Sequence, residues 1–321
     1  MAHDVVVGDQ GWFVVVNPAS GGGAARRCWP RLARELERRG LHFRASETIA
    51  PGHAAALARD AVESGARRLL AVGGDGTLHE LVNGLRAQDR VAPEEITVAA
   101  APLGSGNDWS RTHGMPRDPA RLAAAMAAGR VRRVDLGLAT CAGPGGATRT
   151  VAFHNAAGAG LDAAVVRATS PRGPRPVAYA VALLRALTRF RAPHFGIDTD
   201  RGCQDARCLT AIAAIGPDCG GGMRLAPGAQ VDDGAFDLVT VADLPLLRAL
   251  AIAPGLWSGR AAADPAFRRV RCAQAHIAAS PDCDVEADGQ LVGRTPLAVR
   301  ILPGALRALD CRPGTPSGER T

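Results

Sequence analysis

Leu69-Leu70-Ala71-Val72-Gly73-Gly74-Asp75-Gly76-Thr77 passes from a continuous apolar run into a glycine-rich turn. A short apolar run closed by a turn signal predicts a strand buried on both faces. Beyond the turn, Leu78, Leu81, Val82 and Leu85 recur at i, i+3, i+4 and i+7, one face of a helix. The same unit stands upstream, where Trp12–Val16 runs into Asn17-Pro18-Ala19-Ser20-Gly21-Gly22-Gly23. A helix to about Arg39 follows, with Cys28, Leu32 and Leu36 spaced four apart. It stands again downstream, where Ile96–Ala101 meets Pro102-Leu103-Gly104-Ser105-Gly106-Asn107-Asp108. A strand near Leu41–Ala45 and a helix from about Gly52 to Ser64 fill the interval. Alternating strands and helices predict a doubly wound α/β domain with a parallel sheet, over residues 1–133.

The period then changes. Val134–Thr140, Arg149–His154, Phe195–Thr199, Leu209–Ile215, Phe236–Val241, Ile277–Ser280 and Leu297–Leu302 alternate with period two, separated by turns such as Pro144-Gly145-Gly146 and Asp288-Gly289. Many short strands predict an antiparallel sandwich or distorted barrel over 134–312. The expected fold is therefore α/β plus all-β, with a nucleotide cleft between the domains. The Pro/Gly/Ser-rich segment 313–321 reads as a frayed tail.

Composition narrows the chemistry. The 321 residues are 47% hydrophobic and 21% charged, the balance of a globular protein. All 38 basic residues are arginine, so kinases that need a phosphate-cradling lysine and pyridoxal enzymes that need a Schiff-base lysine are excluded. The eight cysteines form no CxxC pair and accompany no histidine cluster, which speaks against zinc. A net charge of +7 permits attraction to phosphates or anionic surfaces. With aromatics at 4%, stacking platforms for nucleic acid are scarce, and no nucleic-acid partner is expected. No apolar run reaches the roughly 18 residues of a membrane span, and Met1-Ala2-His3-Asp4 does not open a secretory signal, so a cytoplasmic location is expected.

Three glycine-rich loops follow three strands of the first domain and should open at the carboxyl edge of its sheet, where open α/β sheets bind ligands. Glycine permits close backbone approach to phosphate, and the helix behind Gly73–Thr77 offers free N–H groups. Thr77 adds a hydroxyl and Asp75 a carboxylate, which suits a polyphosphate with Mg²⁺ between. Each loop alone could be an ordinary strand–helix turn; three on one edge point to a nucleotide.

The loops Asn17-Pro18-Ala19-Ser20-Gly21, Gly73-Gly74-Asp75-Gly76-Thr77 (with Glu80 and Asn83-Gly84-Leu85) and Gly104-Ser105-Gly106-Asn107-Asp108 (with Arg111) resemble those of diacylglycerol and sphingosine kinases. The resemblance is strongest to the soluble bacterial branch of that lipid kinase family. It continues through Asn155–Ala163, Asp232-Asp233-Gly234-Ala235-Phe236-Asp237 and Asp288-Gly289, and spans about residues 12 to 309. It implies transfer of the γ-phosphoryl of ATP to a lipid hydroxyl, that of diacylglycerol or a sphingoid base. The implied nucleotide contacts are Asn17, Pro18, Ser20, Gly21, Thr48, Gly73, Gly74, Asp75, Gly76, Thr77, Gly104, Ser105 and Asn107. A structural Mg²⁺ would lie on Asp233 and the backbone oxygens of Gln230 and Ala235. Asp75, Asp108 and Asp135 resemble the acidic network between metal, water and nucleotide. Asp288 matches the family's general base, and Asp75 joins it as a catalytic candidate. Read from the residues alone, Asp288-Gly289 is equally a favoured type I′ hairpin pair.

One departure stands out: the family's Asp-Gly-Glu is Asp288-Gly289-Gln290, and an amide can neither accept a proton nor balance metal charge. A catalytically weak or silent member, or an NAD kinase-like small-molecule kinase, are the alternative readings. On the lipid side, no acid stands between Ala163 and Ile197, whereas arginines occupy 167, 172, 175, 185, 189 and 191. With Val181, Leu183, Leu184, Leu187 and Phe190 they suggest a basic amphipathic helix, suited to peripheral contact with an anionic membrane or to an ordinary core. Trp257 reads first as a core residue, with an interfacial position as the alternative, and a homodimer is compatible with the whole.

Overall fold

The computed structural model describes residues 11–168 and 183–312. The readings placed on Met1–Asp4, on Arg172, Arg175 and Val181, and on the tail from 313 lie outside the described residues. The chain forms two compact units: Met1–Arg133 with Leu306–Thr321, and Val134–Ala305.

In the first unit the strands are β1 (Trp12–Val16), β2 (Phe43–Glu47), β3 (Arg68–Gly73) and β4 (Thr97–Pro102). The helices are α1 (Ser20–Arg38), α2 (His53–Glu63), α3 (Asp75–Arg86), α4 (Asp108–Thr112) and α5 (Pro119–Ala128). The strand order is β2-β1-β3-β4, all parallel, and the chain's return at Arg307 and Ala308 adds a further parallel partner beside β4. The sequence reading ended its second domain at 312; residues from Leu306 belong instead to the first unit. Their short apolar stretch gave no local sign of which sheet would take it. Val14, Val15, Val16, Leu69, Leu70 and Val72 are fully buried, as continuous apolar strands between helical layers require. The strand β2 has only exposed and half-buried residues, as an edge strand does. The helices α2 and α3 pack closely: a Cβ on Gly84 would stand 2.1 Å from the Ala55 carbonyl oxygen, so the position admits only glycine.

The second unit is antiparallel. Its strands are β5 (Val131–Ala142), β6 (Thr148–Phe153), β7 (Ala156–Gly160), β8 (His194–Thr199), β9 (Gly202–Ala214), β10 (Phe236–Ala242), β11 (Phe267–Cys272), β12 (Gln274–Ser280), β13 (Asp284–Ala287) and β14 (Gln290–Leu309). The pairings β9-β7-β13-β14-β12-β8 and back to β9 close a ring, a barrel that leaves none of those six edges open. Closure is possible because β9 bends its allegiance: Gly202–Arg207 pair with β8 and Thr210–Ala214 with β7. Phe153, Phe195, Phe236, Ile277, Val285 and Leu297 are fully buried, and Phe153 stacks on Phe236 with ring centroids 5.5 Å apart. The strand β7, all alanine and glycine, carries no strand propensity and was legible only as a motif; neighbours on both sides, β9 and β13, make it a strand.

Candidate functional site

The three glycine loops meet at the carboxyl ends of β1, β3 and β4. Asn17 donates its backbone N–H to the Val72 carbonyl (3.0 Å) and its side-chain amide to Thr77 Oγ1 (3.0 Å), tying the first loop to the second. Leu103 N–H donates to the Gly73 carbonyl (2.9 Å), and Asn107 N–H to Asp75 Oδ2 (2.5 Å), tying the second to the third. Asn107 holds its own loop by a reciprocal pair with the Gly104 backbone, 2.9 and 2.8 Å. It does so in a left-handed conformation, φ 54°, which asparagine tolerates better than most residues. Gly74 and Gly104 touch backbone to backbone: a Cβ on Gly104 would stand 2.3 Å from the Gly74 Cα. Gly21, at φ 62°, brings its loop against the Leu103 carbonyl in the same way. Thr48 follows β2, its N–H donating to the Val16 carbonyl at 2.8 Å, on the same edge.

The structure thus brings Asn17, Ser20, Gly21, Thr48, Gly73–Thr77, Gly104, Ser105 and Asn107 to one sheet edge of the first unit. No side-chain hydrogen bond from its N-cap, Gly74, caps the N-terminus of α3, and a helix N-terminus favours an anion through its dipole. Glu80 Oε2 accepts the Ala54 N–H at the start of α2 (3.2 Å), and Asp108 is buried in an ion pair with Arg111 (2.7 Å). A larger pocket of about 370 Å³, among Trp12, Arg68, Thr97 and Arg307, lies where the strands begin. The glycine loops are at the opposite end, where such sheets present ligands, and the functional weight rests with them.

In the second unit, Asp135 is buried, and its two carboxylate oxygens accept the N–H groups of Gly234 and Gly304, both at 2.7 Å. Burial pushes its pKa up, against those two bonds, and the charges of Asp233 and Asp232 push the same way. Asp233 Oδ1 accepts the Ala235 N–H (3.2 Å), and its Oδ2 is paired with Arg271. A hard divalent cation needs six or more oxygens and a net negative donor set. This turn carries two carboxylates, Asp232 and Asp233, with Asp135 beside them; Asp233 is paired with Arg271, and no group of three or more His, Cys, Asp or Glu suited to a metal occurs among the described residues. Asp233 is engaged by Arg271 as it stands, so a cation on Asp233, Gln230 and Ala235 would have to displace that guanidinium.

Asp288 turns the hairpin between β13 and β14 at φ 49°. Its carboxylate is fully buried and accepts three backbone N–H groups, from His154 (3.1 Å), Asn155 (2.9 Å) and Ala156 (3.3 Å). His154 Nε2 lies 3.4 Å from Asp288 Oδ2. Gln290 is exposed. Two further acids stand close by, neither of which the sequence reading gave a role. Asp162 accepts from Thr210 Oγ1 (2.7 Å), and burial raises its pKa to about 6. Glu286 accepts the Gly289 N–H (2.7 Å); burial first, then the charges of Asp162 and Asp288, raise its pKa well above the carboxylate range. Glu286, an acid on β13 two residues before the Asp288 turn, was the available signal.

Asp162 also borders an apolar cavity of about 110 Å³, walled by Leu161, Val165, Leu209, Ile212, Leu225 and Phe267 among others. Leu183 and Leu187, from the helical stretch 183–189, pack on the same cluster. Trp257, read as core, is instead 46% exposed. It projects from the short helix Pro254–Ser258, while its neighbour Leu256 takes the inward position beside the cavity.

The first unit carries the interlocked glycine loops, and the second the apolar pocket. Residues 11–139 match the family model of the diacylglycerol kinase catalytic domain, and residues 155–310 match that of the YegS C-terminal NAD kinase beta sandwich-like domain. The chain is 32% identical over 260 residues to the "Probable lipid kinase YegS-like" of Pseudomonas aeruginosa, covering 80% of each. It is 27% identical over 286 residues to a diacylglycerol kinase of Staphylococcus epidermidis, covering 88% of this chain and 86% of that one. A crystal structure of a diacylglycerol kinase from Bacillus anthracis superposes with a TM-score of 0.70 at 20% identity, covering 94% and 97%. The yeast NADH kinase shares the fold more distantly, with a TM-score of 0.54 at 11% identity over 95% of this chain and 85% of that one. The chain belongs to the YegS-like and diacylglycerol kinase family of lipid kinases, and it is an enzyme.

Proposed function

We propose that this enzyme transfers the γ-phosphoryl group of ATP, entering as its Mg²⁺ complex, to the hydroxyl of a lipid alcohol of the diacylglycerol type. The observation that carries the reading is the interlocked set of glycine loops, Asn17 on Thr77, Gly73 on Leu103 and Asp75 on Asn107, at the carboxyl edge of the first sheet. Phosphoryl transfer asks mainly for alignment and charge neutralisation. Backbone N–H groups from Gly73–Thr77 and Gly104–Asn107 cradle the phosphates, Asn17, Pro18, Ser20, Gly21 and Thr48 border the nucleotide, and Asp75 orders the loops around it.

Asp288 is the candidate proton acceptor. In a loose transition state the alcohol gives up its proton late, so the role asks for a carboxylate in position more than for a strong base. Contact with the hydroxyl requires the Asp288-Gly289 turn to open, since the carboxylate is enclosed as it stands. Asp135, Asp233, Gln230 and Ala235 shape the neighbouring turn, and no step is routed through a metal there. Gln290, exposed where the family carries an acid, favours a second reading: a catalytically weak member of the same scaffold.

Transfer of labelled phosphate from ATP to a panel of diacylglycerol, ceramide, sphingoid base and soluble alcohols tests the proposal. Product with diacylglycerol and none with soluble alcohols is expected. Phosphorylation of the soluble acceptors alone would refute the lipid assignment, and no product at all would favour the second reading.

A further inference from the structure

Eight large hydrophobic residues are exposed among the described residues, and five of them, Leu184, Leu246, Leu247, Leu250 and Trp257, stand on three short helical segments of the second unit. These segments are 183–189, Leu246–Ile252 and Pro254–Ser258. The same segments wall the apolar cavity from the inside, through Leu183, Leu187, Ala249, Ile252, Ala253 and Leu256. The helix Leu246–Ile252 is therefore apolar on both faces, and Leu184 and Trp257 extend its outer face. A helix of that kind is stable only where something covers its second face. Leu247 is 81% exposed, and Trp257, an aromatic suited to the boundary between water and acyl chains, is 46% exposed.

The charge pattern around these side chains selects what covers them. No Asp or Glu occurs from 163 to 197 or from 244 to 263, while Arg185, Arg189, Arg248 and Arg260 are all exposed there. A second copy of the chain, packed about a two-fold axis, would set this patch against itself and bring like charges together. An anionic lipid surface would instead receive the leucines and Trp257 in its acyl boundary and the arginines among its headgroups.

We propose that segments 183–189, Leu246–Ile252 and Pro254–Ser258 form a membrane-docking surface whose inner wall is the lipid pocket, so that an acceptor passes from an anionic bilayer into the cavity between them. This rests on the lipid-acceptor reading above and adds the surface and its partner. Arg248 is paired with Asp264 (3.1 Å) and contributes less free charge than Arg185, Arg189 and Arg260.

The test is co-sedimentation of the wild-type chain and a Leu247→Glu, Leu250→Glu double variant with large vesicles. One set is phosphatidylcholine alone, the other is enriched in phosphatidylglycerol. Neither leucine lines the cavity, so the variant should unfold in urea like the wild type. The wild type should bind the anionic vesicles more tightly, with a blue shift of Trp257 emission. The variant should lose about tenfold or more in vesicle affinity, and phosphorylation of vesicle-embedded diacylglycerol should fall in step. Phosphorylation of a monomeric short-chain diacylglycerol should be unchanged. Equal vesicle binding by a folded variant would overturn the proposal. So would a wild-type dimer that the variant dissociates without any vesicle binding. Absence of phosphoryl transfer in every format would count against the lipid kinase reading alone, because vesicle binding and Trp257 emission are read without catalysis.

Discussion

Replacing Gly104 with alanine tests the nucleotide site at its tightest point. The new Cβ would stand 2.3 Å from the Gly74 Cα and 3.1 Å from Asn107 Oδ1, where ordinary contact begins at 3.4 Å. The obstacle at Gly74 is backbone, so relief requires the two loops to separate by about 1 Å; overpacking of this kind costs about 1–3 kcal/mol. The same displacement pulls on the Asn107–Asp75 and Leu103–Gly73 bonds that align the phosphate-facing N–H groups. A misplacement of about 1 Å can lower reactivity by about 10²-fold, and nucleotide affinity should fall by at least tenfold. Urea unfolding gives the first quantity and equilibrium binding of a fluorescent ATP analogue the second, both on protein shown to be folded. Gly74→Ala meets the same contact from the other side at 2.7 Å, so the two substitutions should be non-additive by about 0.5–3 kcal/mol. A folded Gly104→Ala variant with wild-type nucleotide affinity would place the nucleotide elsewhere, and strict additivity would mean that the loops do not bear on each other.

Asp288→Asn should lower kcat by about 10²- to 10⁴-fold with the KM for ATP little changed, and should also destabilise the hairpin, because an amide NH₂ would face three N–H donors. Rates are therefore to be normalised to folded protein, and full activity would leave Asp288 a turn residue only. Gln290→Glu should maintain or raise activity; a fall would mean that the amide has its own role. Asp162 ionises near pH 4 when unfolded and at about 6 when folded, so its contribution to stability is complete below pH 4 and is lost as pH rises through 6. Asp162→Asn should remove that decline, on the order of 1–3 kcal/mol between pH 4 and 7, as read from urea midpoints; an unchanged profile would refute the assignment. With Arg271 on Asp233, melting of the nucleotide-free protein should be the same in EDTA and in Mg²⁺, and a Mg²⁺-dependent rise in Tm abolished by Asp233→Asn would restore a cation to that turn.

Local pattern carried the first unit almost entirely. Leu69–Val72 and Trp12–Val16 announce buried strands because a parallel sheet covered on both faces tolerates only apolar residues, and the glycine loops stand out because contact between the loops excludes a Cβ. The second unit was legible as alternation but not as a barrel. The strand β7, Ala156–Gly160, has no propensity to show, and only its partners β9 and β13 make it a strand. Tertiary structure alone decided that the chain from Leu306 returns to the first sheet and that Arg271 neutralises Asp233. It also decided that Trp257 faces outward while Leu256 faces the cavity. Each of these depends on which distant surface a residue meets, a quantity that neighbouring residues do not encode. The motifs name the chemistry because they fix backbone shape within a few residues; which charges, pockets and exposed faces surround that chemistry is settled by contacts more than a hundred residues apart, such as the N–H groups of 154–156 closing on Asp288.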